Sequence, residues 1–463
     1  MRKGLHAYLN VNNLNEIINK EDKNTTREDL TRIVHILSTY YNSIAKILNK
    51  NGLGYIEKIS GERVHFVFEE HGEPLNADKI LETLISFHIL NYNFINKLRK
   101  YSGLDNFQVS TGADYGVYYN YEHVKNGKVE ELTSIGYPAN RAAKLTEKAG
   151  NNEIILPLEL VKRLSYDLKD AVRQIDRSEM KRFYSKYENG DYVRINVNQL
   201  VNQFAFDDID VRTYVETQYS KINFEDVVFR HPKKLISFDQ LSEKNNRKVD
   251  GIPFHADLRG FTKMFKEDGS NLKEMVRTTK EVLDIMESSV VENSGIKVQF
   301  QGDKIVALFH KNAEHGSEEY IENAIDAGFV LIGKIIQFNK LALNNLPNIK
   351  MSVGIGQSIG ELYATRIGLK RNKHNILLGR INNLANKAED EYALEDSIVI
   401  TSDLYGRLKK SLQDIFRMHP DNRRFYITEE DYRNYSRKRI KEVRTKESKQ
   451  YNKEGKLGQY NAL

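Results

Sequence analysis

Cysteine is absent from all 463 residues, which excludes disulfides and thiolate-bound metals. Long apolar runs are absent too. The longest, AGFVLIGKII at 327–336, is interrupted by Lys334 and falls well short of the ~20 residues that cross a bilayer. The opening MRKGLHAYLNVNNL has neither the apolar centre nor the small-residue cleavage site of a secretory signal. Excess charge is small, +6, and much of it falls in 435–460, where Glu442, Glu447 and Glu454 interleave with the basic residues. That basic tail, 431–463, reads as a solvated segment rather than a contact for nucleic acid or lipid. What is present, 40% hydrophobic and 29% charged residues, suits two or three globular domains with substantial cores. A cytoplasmic protein without a membrane partner is the expectation.

The chain repeats itself. VQFQGDKIVALF (298–309) and EKISGERVHFVF (57–68) share an alternating apolar rhythm around a glycine and an acid, the pattern of a hairpin. GIGQSIGELYA (354–364) matches STGADYGVYYN (110–120), and LLGRINNLANKAED (377–390) matches SIGYPANRAAKLTEK (134–148), a glycine turn opening a helix. From Gly302 to Gly379 is 77 positions and from Gly61 to Gly136 is 75; from Gly360 to Gly379 is 19 and from Gly116 to Gly136 is 20. Three matched segments in one order, at one spacing, argue for duplicated domains. Between them, 25–52 offers Thr26 as a cap with Asp29 three residues on, and Leu30, Ile33, Leu37 and Tyr40 at helical spacing before Gly52. Residues 270–295 fill the same place in the second repeat. Each unit therefore reads strand, helix, strand, strand, helix, strand, helix. The fold class is α+β, two tandem ferredoxin-like domains with helices on one face of each antiparallel sheet. The expected domains are 1–205 and 246–430, with a linker at 206–245.

In HADLRGFT (255–262) an apolar run ends in Asp257 and turns at once through Gly260-Phe261-Thr262. Asp303 sits in the hairpin of the same repeat. Strands in a sheet lie about 5 Å apart, so two strand-end carboxylates can share an ion pair. Two hard oxygens without a His or Cys companion suit Mg²⁺ or Mn²⁺ completed by phosphate. The backbone N–H groups after Asp257 would then face the phosphates from a helix start. Either aspartate alone is an ordinary turn residue; the two in this order are not. His255 has no second His at ligand spacing and reads as a hydrogen-bonded histidine, while Arg259 either approaches phosphate or solvates the turn.

FHADLRGFTKM, VQFQGDKIVALF, VGIGQSIG and LLGRINNLANKAE, in that order, resemble the motif series of class III nucleotidyl cyclases, over most of 250–400 and more weakly over 5–150. The resemblance implies a nucleoside triphosphate substrate, a 3′,5′-cyclic nucleotide product, and sites built between two cyclase domains as an intramolecular pseudo-dimer. It places the metal site for two Mg²⁺ or Mn²⁺ ions on Asp257, Leu258 and Asp303, with Gly260, Phe261 and Thr262 against the substrate. The opposite face comes from the first repeat, with Lys58 and Thr133 at the base-selecting positions and Asn140 and Lys144 at the transition-state positions. Asn140 and Lys144 are four apart, on one helix face. Lys144 stands where the family has Arg, a point charge in place of a bidentate fork. In the reciprocal site the metal positions hold Asn10 and Glu62, and the other face Gln299, Ile376, Asn383 and Lys387, so one complete site is expected and no homodimer is required.

The base is left open. A Lys and a Thr at those positions resemble adenylate cyclases, Lys donating to adenine N1 and the hydroxyl accepting from the amine. Cytosine has a similar edge, and the same Lys could meet a uracil carbonyl. A compact chain with no sensor module is in the style of the pyrimidine cyclases of Pycsar anti-phage defence, whose cyclic CMP or cyclic UMP activates a separate effector. The expected activity is therefore cyclisation of CTP or UTP. The alternatives are an ATP-using cyclase and a nucleotide-binding regulatory pseudocyclase. Nucleic-acid binding through Tyr118, Tyr119 and Tyr121 is less economical than packing in a chain with 26 tyrosines.

Overall fold

The computed structural model describes residues 1–22, 27–98, 105–125, 128–169, 172, 192–199, 209–220, 228–230, 232–242, 245–261, 272–311, 318–341, 351–369 and 372–428. The first sheet comprises β1 (Arg2–Val11), β2 (Tyr55–Ser60), β3 (Arg63–Glu69), β4 (Val109–Lys125), β5 (Lys128–Ile135), β6 (Glu153–Pro157) and β7 (Tyr192–Asn196). Its order is β2-β3-β1-β4-β6-β7, with β5 paired to β4. The helices α1 (Leu14–Asp22), α2 (Arg27–Asn51) and α3 (Ala77–Leu90) form one layer, and α4 (Tyr137–Lys148) follows β5. With α2 between β1 and β2 and α3 between β3 and β4, the core is a split βαβ unit.

The second sheet repeats this plan. Its strands are β8 (Val228–Arg230), β9 (Asn245–Arg259), β10 (Ile296–Gln301), β11 (Lys304–His310), β12 (Ser352–Gln357), β13 (Gly360–Leu369), β14 (Asn372–Leu378), β15 (Ser397–Thr401), β16 (Phe416–Met418) and β17 (Phe425–Thr428). The order β10-β11-β9-β12-β15-β17-β16 places β9 where the first sheet has β1. The corresponding helices are α6 (Leu272–Val291), α7 (Glu319–Leu341) and α8 (Arg380–Lys387), preceded by α5 (Ile209–Ser220) between the units. The single β4 of the first unit is matched by β12 and β13, interrupted at Ser358-Ile359.

Local chemistry explains these elements. In α2, Ile33, Leu37, Tyr40, Ile44 and Leu48 recur every three or four residues and are all at most 1% exposed. Fully burying such a side chain stabilises the fold by roughly 1.5–3 kcal/mol. Gly52, at φ +62°, ends the helix in the left-handed conformation that favours glycine. The Thr26 cap lies outside the described residues.

Two expectations need correction. The helices do not all lie on one face. Leu5, Ala7 and Leu9 of β1 join the core under α2 and α3, but α4 covers the other face, where Thr146 Oγ1 lies 3.3 Å from Tyr8 O and Ser110 Oγ 3.2 Å from Thr146 O. Gly112 permits this, because a Cβ there would lie 2.2 Å from Thr146 N. The stretch 206–245 also contains more than a connection. Val211 and Val215 of α5 are buried in the first core, and β8 pairs in parallel with β9. Two apolar residues four apart suffice to dock one face of a short helix.

Each unit packs residues into the core of the other. Tyr363, Ile367, Ile376 and Leu378 of β13 and β14 pack into the first core, while Tyr121 and Ile135 of β4 and β5 pack into the second. His123 Nε2 approaches Glu287 at 2.9 Å across this interface.

Candidate active site

Asp257 lies two residues before the end of β9, opposite Lys304 on β11 and Gly354 on β12. Asp303 occupies the turn between β10 and β11, beside Gly302 at φ +67°. The register therefore brings the two carboxylates to one rim of the sheet. Burial, then the charges of Asp303 and Glu389, holds Asp257 well above the usual carboxylate range. Burial raises Asp303 to about 6, with Glu389 adding to the effect and a backbone hydrogen bond, Lys304 and Lys144 opposing it. Two acids that resist ionising together form a site short of positive charge, which suits a divalent cation.

The opposite wall comes from the first unit. Lys144 is close enough for its charge to act on Asp303. Asn140 Oδ1 lies 3.7 Å from the position a Cβ on Gly302 would take. The turn carrying Asp303 thus faces the helix α4 that carries Asn140 and Lys144. Lys58 and Thr133 also meet, Lys58 Nζ donating to Thr133 Oγ1 at 3.2 Å. The same ammonium donates to Glu131 Oε1 at 2.7 Å and to the carbonyl of Phe300 in the second unit. Glu131 Oε1 in turn accepts the Phe300 N–H at 2.7 Å.

The remaining expected residues are placed less simply. The side chains of Leu258 and Phe261 are 3% exposed and belong to the second core, so only their backbone atoms can face a ligand. Gly260 adopts φ +77° at the turn, and Thr262 lies outside the described residues. His255 is buried and pairs with Asn382 Oδ1 at 3.0 Å, a packed histidine as read. Arg259 does not merely solvate the turn, for its guanidinium lies 3.5 Å from Asp257 Oδ2 at the rim where phosphate is expected. It bridges Glu389 Oε1 at 2.7 Å and also donates to the Glu389 and Ala393 carbonyls, because buried Glu389 needs a counter-charge.

Two residues escaped the sequence. Glu131 stands two before Thr133, on the same strand face, a signal that period-two reading could have found. Glu389 pairs with Arg259 and Lys304, and its place is set only by the packing of the segment after α8.

The reciprocal site differs. Asn10 Nδ2 is spent on Asn12 Oδ1 at 2.7 Å, and Arg63 beside it pairs with Glu147 at 2.9 Å. Gln299 is 7% exposed and Ile376 1% exposed, the latter within the first unit's core. Lys387 turns to Glu391 at 3.4 Å, and Asn383 Nδ2 is buried without a hydrogen-bond partner. Tyr118 and Tyr121 are buried and Tyr119 is 38% exposed, so the tyrosines form no continuous stacking face.

Residues 246–432 match the family model described as adenylate and guanylate cyclase catalytic domain. The second unit thus matches the class III cyclase catalytic domain, and the first unit repeats its plan. The chain is 24% identical over 392 residues to a protein of Pseudomonas aeruginosa described as uridylate cyclase, covering 81% of this chain and 72% of that one. Its fold matches a class III adenylyl cyclase-like ATP-binding protein from Pseudomonas aeruginosa with a TM-score of 0.71, at 19% identity, covering 95% of this chain and 90% of that one. Among the described residues no helix is long and apolar enough to cross a membrane.

Proposed function

We propose that this chain converts a pyrimidine nucleoside triphosphate, CTP or UTP, to its 3′,5′-cyclic nucleotide and pyrophosphate at a single site between its two units. One observation carries the reading: the Asp303 turn of the second unit faces Asn140 and Lys144 of the first, whereas the mirrored metal position holds Asn10. Asp257 and Asp303 would hold Mg²⁺ or Mn²⁺, which when bound supplies Lewis-acid activation of the ribose 3′-hydroxyl and neutralises phosphate charge. Lys144, exposed at the interface, places a fixed positive charge beside the α-phosphate as charge develops there. Asn140 orients the ribose by a hydrogen bond, which limits the approach of hydroxyl to phosphorus. Gly260 lets the chain turn so that backbone N–H groups meet the β- and γ-phosphates. Lys58 and Thr133 meet the base edge.

The choice of a pyrimidine is supported by the relative described as uridylate cyclase and by the likeness to compact Pycsar cyclases, in which the product signals to a separate effector in antiviral defence. The experiment is incubation of the full chain with Mn²⁺ and ATP, GTP, CTP or UTP separately, with products identified by mass spectrometry. Cyclic CMP or cyclic UMP as the main product supports the proposal. Cyclic AMP would restore the adenylate reading of Lys58 and Thr133. No product from any of the four would leave a nucleotide-binding regulatory pseudocyclase.

A further inference from the structure

We propose that Glu131 is a base-reading residue and that the order Glu131, Lys58, Thr133 selects cytosine over uracil. The inference rests on the single-site cyclase reading above and names its substrate. Glu131 and Thr133 lie two residues apart on one face of β5, about 6–7 Å along the strand. Lys58 Nζ bonds to both, at 2.7 and 3.2 Å, and so lies between them.

The three groups form a row. At one end is a carboxylate, which only accepts; in the middle an ammonium, which only donates; at the other end a hydroxyl, which does either. The complement of that row is a donor, an acceptor and a group of either kind. Cytosine presents N4–H, N3 and O2 in that sequence. Uracil presents O4, N3–H and O2, which sets a carbonyl against the carboxylate and an N–H against the ammonium. Guanine, with O6, N1–H and N2–H, fails at the same two places. Adenine satisfies Glu131 and Lys58 through N6–H and N1 but meets Thr133 with C2–H, so the hydroxyl has no partner on it.

The site has room in its hydrogen bonding for this exchange. Glu131 Oε1 is held by Lys58 and by the Phe300 N–H. Its Oε2 has Lys297 Nζ at 3.7 Å, beyond hydrogen-bond reach, and can accept from an incoming amine. Lys58 has three protons and three acceptors, Glu131, Thr133 and the Phe300 carbonyl. Releasing Phe300 O frees one proton for N3 while Glu131 and Thr133 keep the ammonium centred. The side chains of Lys58 and Glu131 are 7% and 14% exposed, so a mismatched base leaves polar groups buried and unpaired.

The test is kcat/KM of the full chain for CTP and for UTP with Mn²⁺, in the wild type and in Glu131→Gln, with melting temperatures as a check on folding. A glutamine amide can rotate to donate as well as accept, so it tolerates a carbonyl. Wild type is expected to favour CTP by at least tenfold, and Glu131→Gln to lower that ratio at least tenfold. A wild type that favours UTP overturns the assignment. So does a variant that lowers both rates in equal proportion, the signature of a clamp between the units. If no nucleotide is turned over, the cyclase reading fails separately. Equilibrium binding of CTP and UTP to both proteins then decides the role of Glu131: tighter CTP binding that Glu131→Gln abolishes supports it, and equal binding overturns it.

Discussion

Replacing Gly112 by alanine should separate the positioning of α4, the helix proposed to carry catalytic residues, from its composition. The added Cβ would lie 2.2 Å from Thr146 N, 2.6 Å from Leu145 C and 2.8 Å from Ala142 O. All three are backbone atoms of α4, so no side chain can swing away. Restoring ordinary contact at about 3.4 Å requires α4 to move by roughly 1.2 Å from β4. That helix carries Asn140 and Lys144 against the Asp303 turn. A misplacement of about 1 Å at a reacting centre costs on the order of 100-fold in rate, and overpacking costs about 1–3 kcal/mol of stability. Gly112→Ala is therefore expected to fold with a melting temperature lower by several degrees and kcat down about 100-fold. Gly116→Ala, on the same strand, is the control. Its Cβ would come no nearer than 3.5 Å, to Pro138 Cγ, an ordinary contact, and it should keep near wild-type turnover. Melting curves and metal-dependent cyclic nucleotide formation are the two readouts. Full turnover in Gly112→Ala would show that the position of α4 does not govern the chemistry, and the roles given to Asn140 and Lys144 would fall.

Other tests address the site piece by piece. Asp257→Ala and Asp303→Ala should each abolish turnover with the fold intact, whereas Asn10→Ala and Glu62→Ala should change it by less than about threefold; equal losses would refute a single site. Lys144→Ala should lower kcat by about 100-fold with a smaller change in KM, as expected when a charge that acts in the transition state is removed, and an unchanged kcat would remove Lys144 from the mechanism. Mn²⁺ should raise the melting temperature of the wild type but not of Asp257→Asn/Asp303→Asn, by mass action on the folded form alone; equal stabilisation would place the metal elsewhere. For pH, burial depresses His88 from 6.5 to about 4, partly opposed by its hydrogen bond to Asn152. The folded pKa lies below the unfolded one, so the unfolded chain takes up the proton first. Stability is then lost as pH falls from about 6.5 towards 4, by about 3 kcal/mol in full. Melting temperatures across that range should fall in the wild type and fall less in His88→Gln.

The sequence by itself determined the duplication, because matched hairpins, glycine turns and helices keep their order and spacing whatever their surroundings. It also determined that one unit carries Asp257 and Asp303 and the other does not, and that Asn140 and Lys144 share a helix face, since four residues make about one turn. Helix α2 was legible for the same reason, its apolar residues and final glycine being local signals. The tertiary structure alone decided which surfaces meet. Nothing in VQFQGDK says that the backbone of Phe300 will lie against Lys58 and Glu131, because those contacts depend on how two separately patterned sheets dock. Arg259 and Lys304 converge on Glu389, and Ile376 disappears into the neighbouring core, for the same reason. The helix α4 lies on the opposite face of its sheet because Gly112 leaves no side chain in the way, a steric fact about two backbones far apart in the chain. Periodicity reports which face of an element is apolar; it cannot report what that face will touch, and in this chain the proposed site lies where the two units touch.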